Sequence, residues 1–250
     1  MDKKIEKYLG SIGLKFPGSE KELKVFNKIY EKHEYLLDES LIDPIKILDE
    51  IKEEELREKN KLSKSKSFFR RVVLAAEIVN ECHSEPRFGN VKLQKMIFLC
   101  EHASNMNFET NYFKKAAGPY DNRLMHSLRT EFEKQKWFKI EKENGGGRIK
   151  YLPLENSEKY KKYYISYFSD VHTEIEYLIN TLRNELTKDV ELVATIFFCW
   201  AEIINKKSVF SSQLIIKKVY SFHPEKKKFS ELEILRKIDW MKEKGIYPKT

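Results

Sequence analysis

From Phe68 onward, apolar residues return every three or four positions, and prolines, glycines and asparagines break the pattern at intervals. Phe69, Val72, Val73, Ala76, Ile78 and Val79 predict a helix over 68–83 that stops before Pro86. Leu93, Met96, Ile97 and Cys100 predict a second over 91–104, with Asn90 as its cap. Leu124, Met125, Leu128 and Phe132 predict a third over 121–136, with Asp121 as N-cap. Short strands follow at 137–140 and 149–152, joined by Asn144-Gly145-Gly146-Gly147, residues that tolerate positive φ. Beyond Pro153 the helical period resumes over 157–168, 171–186, 190–204, 211–220 and 231–244, with Gly245 placed to end the last helix. Between 105 and 120 only Tyr112-Phe113 reads as extended. These elements predict a mainly α, multi-helix globular domain with one small antiparallel β-hairpin, in winged-helix-like order.

Residues 1–60 read as a separate helical head. Ser19 and Glu22 form a capping box ahead of Leu23, Phe26, Ile29 and Tyr30, which share one helical face. Asp43-Pro44 is a second helix start, opening a stretch with Ile45, Ile47, Leu48 and Ile51. The pattern then fades into a charge run and the Lys/Ser tract 61–67, too poor in apolar residues to offset ordering entropy. The expected layout is a head over 1–60, a linker over 61–67 and the main domain over 68–250, without internal repeats.

Charge sharpens this division. The chain carries a net +8, yet residues 1–60 hold 12 basic against 15 acidic side chains and the remainder 35 against 24. The basic body suits either a nucleic acid or an acidic protein. The longest apolar run, 193–201, falls well short of the roughly 20 residues that span a bilayer, and residues 1–13 lack a signal peptide's apolar core. No membrane partner is expected. Cys82, Cys100 and Cys199 all fall in helical, apolar patterns and read as reduced, buried thiols of a cytoplasmic protein.

Candidate chemistry is sparse. Cys82-His83 and Cys100/His102 lack the spacing that would let one helix offer two ligands to a metal, so no metal or other cofactor is expected. There is no nucleophile elbow, and the Gly145–Gly147 triplet precedes a strand, unlike a phosphate loop. Catalytic residues are accordingly assigned to none. DNA binding is the alternative with specific residues behind it. In a winged-helix reading, the helix over 121–136 presents Asn122, Arg123, His126, Arg129 and Lys136, while Arg148 and Lys150 on the hairpin meet phosphates. Against it, 16 residues separate the second and third helices, and Glu131, Glu133, Glu141 and Glu143 dilute the basic face.

Several separated motifs carry a resemblance. They are Phe88-Gly89-Asn90-Val91-Lys92-Leu93-Gln94-Lys95, Ala116-Ala117-Gly118-Pro119-Tyr120-Asp121 and Lys134-Gln135-Lys136-Trp137-Phe138. Val193-Ala194-Thr195 to Trp200, Phe222-His223-Pro224-Glu225-Lys226 and Trp240-Met241 to Pro248 follow in order. From about residue 68 to 248 the chain resembles the Panacea antitoxin domain and, more closely, the related domain appended to some type I restriction specificity subunits. The resemblance implies a non-enzymatic module that binds another protein, a toxin or a subunit of a defence complex. The target-recognition domains of a specificity subunit are missing, and the head matches neither setting, which points to an antitoxin-like or restriction-associated adaptor. Gly118, Pro119, Asp121 and Trp137 are the expected structural motif, with a turn over 118–121 and Trp137 and Phe138 packing on the Leu93/Ile97 face. Lys92, Gln94, Lys95 and Tyr120 are the candidate partner-binding residues.

Overall fold

A computed structural model describes residues 44–249 apart from 107, 109, 111 and 143–148. The expected head helix behind Ser19, the Asn144–Gly147 turn and Arg148 lie outside the described residues. The first described helix, α1, runs unbroken from Pro44 to Cys82. The Lys/Ser tract 61–67 is therefore helical instead of an irregular linker, although the two compact units of the chain divide within it, at Lys64/Ser65. Lysine is a good helix former and serine only a mild opponent, so low hydrophobicity does not by itself stop a helix already under way.

In the larger unit, 65–250, two helices form the spine. The helix α2 (Asn90–Ala103) packs against α5 (His172–Arg183) and α6 (Thr187–Asn205). In turn α6 touches α7 (Ser212–Phe222) and α8 (Glu231–Glu243). The sequence pattern gave α2 one apolar face, yet Lys92 through Glu101 are all buried. A helix covered on every side takes its polar residues inside with it, and each must then find a partner.

Between α2 and α3 (Asn122–Gln135) lies a hairpin that periodicity did not reveal: β1 (Phe113–Lys115) pairs antiparallel with β2 (Gly118–Tyr120). The turn sits at Ala116-Ala117, and Gly118-Pro119-Tyr120 is strand, one dipeptide away from the expected bend. The expected later hairpin is present as β3 (Phe138–Lys142) and β4 (Ile149–Pro153), so the class is mainly α with two small strand pairs. The helix α4 (Lys161–Phe168), a 3-10 turn at Pro224–Lys228 and Gly245 at φ +65°, which follows α8 at its end, complete the order.

Two caps test the local reading. Asp121 Oδ1 accepts from the Leu124 backbone N–H at 3.1 Å, the expected N-cap of α3. Asn90 does not cap α2; the cap position is Gly89, and the Asn90 side chain accepts from the Tyr151 hydroxyl at 2.6 Å, tying α2 to β4. Trp137 is buried among Phe69, Phe132, Tyr160 and Tyr163, with ring centroids 5.8–6.5 Å away. No helix among the described residues is long and apolar enough to cross a membrane.

Candidate functional site

The motif residues converge on one buried polar cluster. Its centre is Lys95 on α2, with no exposed surface. The Lys95 ammonium donates to the Pro119 carbonyl and to Gln94 Oε1, and lies 5.8 Å from the Tyr120 ring centroid. Burial, and then the neighbouring Lys226 ammonium, push Lys95 down to about 7, with Glu191 acting in the opposite sense. Lys226, from the turn after α7, is equally buried and bonds Glu191 Oε1 at 2.7 Å; Lys228 approaches the same oxygen at 3.0 Å. Burial pushes Lys226 down as well.

Gly118 shows how tightly the strand is seated. Its φ is +95°, and a Cβ there would meet Thr195 Oγ1 at 3.0 Å and Lys95 Cε at 3.4 Å. Glycine is thus required twice, for the backbone angle and for the close approach to α2 and α6. Thr195 Oγ1 itself is turned into α6, donating to the Glu191 carbonyl at 2.8 Å. The four motif stretches at 92–95, 118–121, 193–195 and 222–226 meet within this one region.

A second ionic group adjoins the first through Gln94, whose amide donates to the Asp121 carbonyl at 3.4 Å. Arg71 on α1 bonds Glu101 through Nε, Asp121 Oδ2 at 2.7 Å and the Tyr112 hydroxyl at 3.0 Å. The Tyr112 hydroxyl in turn donates to Glu101 Oε2 at 2.7 Å. Burial alone would push Arg71 down, but its carboxylate neighbours hold it charged. Burial pushes Glu101 above the usual carboxylate range despite the pairing with Arg71. Asp121 thereby does two jobs, capping α3 and anchoring α1 to the second hairpin strand.

This geometry corrects the assignment of partner-binding residues. Lys92, Gln94 and Lys95 are buried, and a docked protein would not reach them. Lys92 Nζ donates to the Arg183 and Glu185 carbonyls at 2.6 and 2.7 Å, closing the end of α5 with a cation where the helix dipole favours one. Of the four candidates only Tyr120 keeps part of its ring accessible. Sequence reading missed Arg71, Glu101 and Glu191, and it quoted Lys226 within a motif without assigning it to a site. The one signal available was a charged residue at a position that helical spacing assigns to an apolar face, as with Arg71 beside Val72 and Val73.

The winged-helix face is arranged differently. Asn122, Arg123, His126, Arg129 and Lys136 are all exposed along α3 and its end, and Lys150 is exposed on β4. Most of the cations there lie beside a carboxylate. Lys136 is 2.6 Å from Glu155, Lys139 2.6 Å from Glu141, Lys134 3.7 Å from Glu131 and Arg129 3.8 Å from Glu133. Arg129 also donates to the Ile140 carbonyl at 3.0 Å, and Lys150 stands opposite Glu141 in the β3–β4 ladder. The β1–β2 hairpin occupies the space between α2 and α3 where a helix-turn-helix has only a tight turn.

The three thiols are buried; burial pushes Cys82 and Cys199 up to about 12 and Cys100 higher still. Among the described residues, no group of three or more His, Cys, Asp or Glu side chains is placed to hold a metal ion. No family model and no curated protein matches the chain.

Proposed function

We propose that this chain is a non-enzymatic protein-binding module, an antitoxin-like or restriction-associated adaptor. The resemblance to Panacea-type domains supports this reading. The resembling residues Lys92, Gln94, Lys95 and Asp121 serve the interior of this domain and Gly118 its close packing, so the motifs that carry the resemblance are ones that build the fold. The alternative is direct DNA reading, and the observation that weighs against it is the pairing of cations on the α3 and hairpin face. A lysine already within 2.6 Å of a carboxylate adds little net positive potential, and neutralising phosphates is where most nonspecific DNA affinity originates.

Two measurements made in parallel test the proposal. The full chain, co-expressed with the product of the adjacent reading frame, is expected to retain it through purification and through moderate salt. Titrated with random duplex DNA, it is expected to bind weakly. DNA binding through several phosphates would instead weaken by roughly 0.9 log unit per contact for each decade of salt. It would weaken further on replacing Arg123, Arg129, Arg148 or Lys150 with alanine. Tight, salt-steep DNA binding with no retained partner overturns the adaptor reading in favour of the regulator.

A further inference from the structure

The most exposed large apolar side chain among the described residues is Val209, 88% accessible, in the loop that follows α6. Single exposed valines are common and need no explanation. This one is held in place by an unusual amount of structure. The end of α6 closes with Lys207 in the left-handed region at φ +52°, its N–H bonded to the Ile204 carbonyl at 2.8 Å and that of Ser208 to Ile203 at 3.1 Å. That double closure sets the direction in which the chain leaves the helix. Phe210, next to Val209, is then pinned, its ring 4.5 Å from Trp200 on one side and 4.9 Å from the Lys242 ammonium. Trp200 is backed in turn by Tyr247, nearly parallel at 5.3 Å. The loop therefore presents Val209 on an aromatic stack that fixes its position before any partner arrives. Phe210 adds a second apolar surface, 37% exposed.

The charge around the tip also differs from that on the α3 face. Lys206 and Lys207 shortly precede Val209 in sequence, and Lys242 lies over Phe210. None of these three takes part in the ion pairs found among the described residues. The exposed carboxylates on the same helix as Lys242 are Glu231 and Glu233 in its first turn, where Glu233 bonds Ser230, and Asp239 and Glu243 near its end, where Glu243 is held by Lys244 at 2.9 Å. A preorganised apolar knob with uncompensated cations around it has the composition of an interface anchor with a polar rim. Its complement is an apolar pocket edged by carboxylates. A nucleic acid would set phosphates against Val209, where the side chain contributes nothing. One valine and a partly covered phenylalanine offer too little apolar area to hold a bilayer surface firmly.

We infer that the Val209–Phe210 tip is the anchor by which this chain seats in an acidic-rimmed apolar pocket of its protein partner. The inference rests on the adaptor reading above. The test is titration of the full chain with the purified product of the adjacent reading frame, for wild type, Val209→Asp and the double variant Lys206→Glu/Lys207→Glu. Because Val209 is almost wholly exposed, Val209→Asp should leave thermal unfolding unchanged while weakening the complex about tenfold or more, the behaviour of a hot spot. The double charge variant should weaken it chiefly through a slower association rate. Equal binding by wild type and Val209→Asp overturns the assignment of the surface and leaves the adaptor reading intact. Failure of the wild type to bind overturns both. Two further outcomes also overturn it: a wild-type dimer that Val209→Asp dissociates makes the tip a self-interface, and sedimentation of wild type alone with phosphatidylcholine/phosphatidylserine vesicles makes it a membrane contact.

Discussion

Replacing Lys95 with methionine should remove a pH dependence from the stability of the whole domain. The wild-type amine is held at about 7 where a free lysine titrates at 10.5, chiefly by burial and secondly by Lys226. Between those two pH values the unfolded chain binds a proton that the folded chain does not. Stability must then rise with pH across that window, and the contribution is lost as pH falls towards 7. From pH 7 to pH 10 the rise amounts to on the order of 4 kcal/mol, at about 1.4 kcal/mol per pH unit. Methionine keeps the length and apolar stem of the side chain but cannot donate to the Pro119 carbonyl or to Gln94. It is therefore expected to cost about 1–3 kcal/mol in unmade hydrogen bonds at high pH. At pH 6 that loss is offset by no longer burying a charge. The assay is urea unfolding of both chains at intervals from pH 6 to pH 10. The quantity to follow is the difference between them, in which groups not coupled to Lys95 cancel and Lys226, freed of its neighbouring cation, adds in the same sense. That difference should widen in favour of wild type by roughly 4 kcal/mol as pH rises. Parallel profiles would show that Lys95 stays charged in the fold, compensated by Glu191, and would refute the account of the cluster.

Two substitutions probe the neighbouring contacts. Arg71→Met leaves Glu101 and Asp121 buried without their cation and should destabilise by about 3–5 kcal/mol in urea unfolding; a loss below about 1 kcal/mol would mean that water already reaches those carboxylates. Gly118→Ala forces a side chain to φ +95° and against Thr195, which should lower stability by about 2–4 kcal/mol, and an unchanged thermal midpoint would show that β2 can move away from α6.

How much of this was legible in the sequence depended on whether the deciding contact was local. The helices of the main domain follow from spacings of three and four residues, and the Asp121 cap from a preference that acts within one turn. The β3–β4 hairpin likewise announced itself through a glycine-rich connection. The β1–β2 hairpin did not, because three-residue strands are too short to display alternation, and Gly118-Pro119 reads locally as a turn. The misplaced cap had a different cause: Asn90 has the right chemistry for α2, but Tyr151, 61 positions away, claims its side chain. The cluster itself was half visible. Its motifs were in view, but the partners that bury them, Arg71 with Asp121 and Glu191 with Lys226, lie 50 and 35 positions apart.

The burial of Lys92, Gln94 and Lys95 changes where partner choice must be sought. Lys92, Gln94 and Lys95 hold α2 to α5, α3 and β2, so their chemistry is taken up by the interior of this domain. A change at Lys95 or Asp121 would reach a partner only by deforming the surface above it, and would show first as lost stability. On the proposed adaptor reading, specificity resides in side chains that the interior does not need. On the main domain these include Tyr120, the outer face of α3 and the Val209–Phe210 tip. The α3 face is electrically balanced by its own carboxylates, whereas the tip carries three cations outside any described ion pair. A surface of the first kind tolerates many neighbours, and one of the second kind discriminates among them, because a mismatched charge at a fixed apolar anchor is repelled before contact is complete.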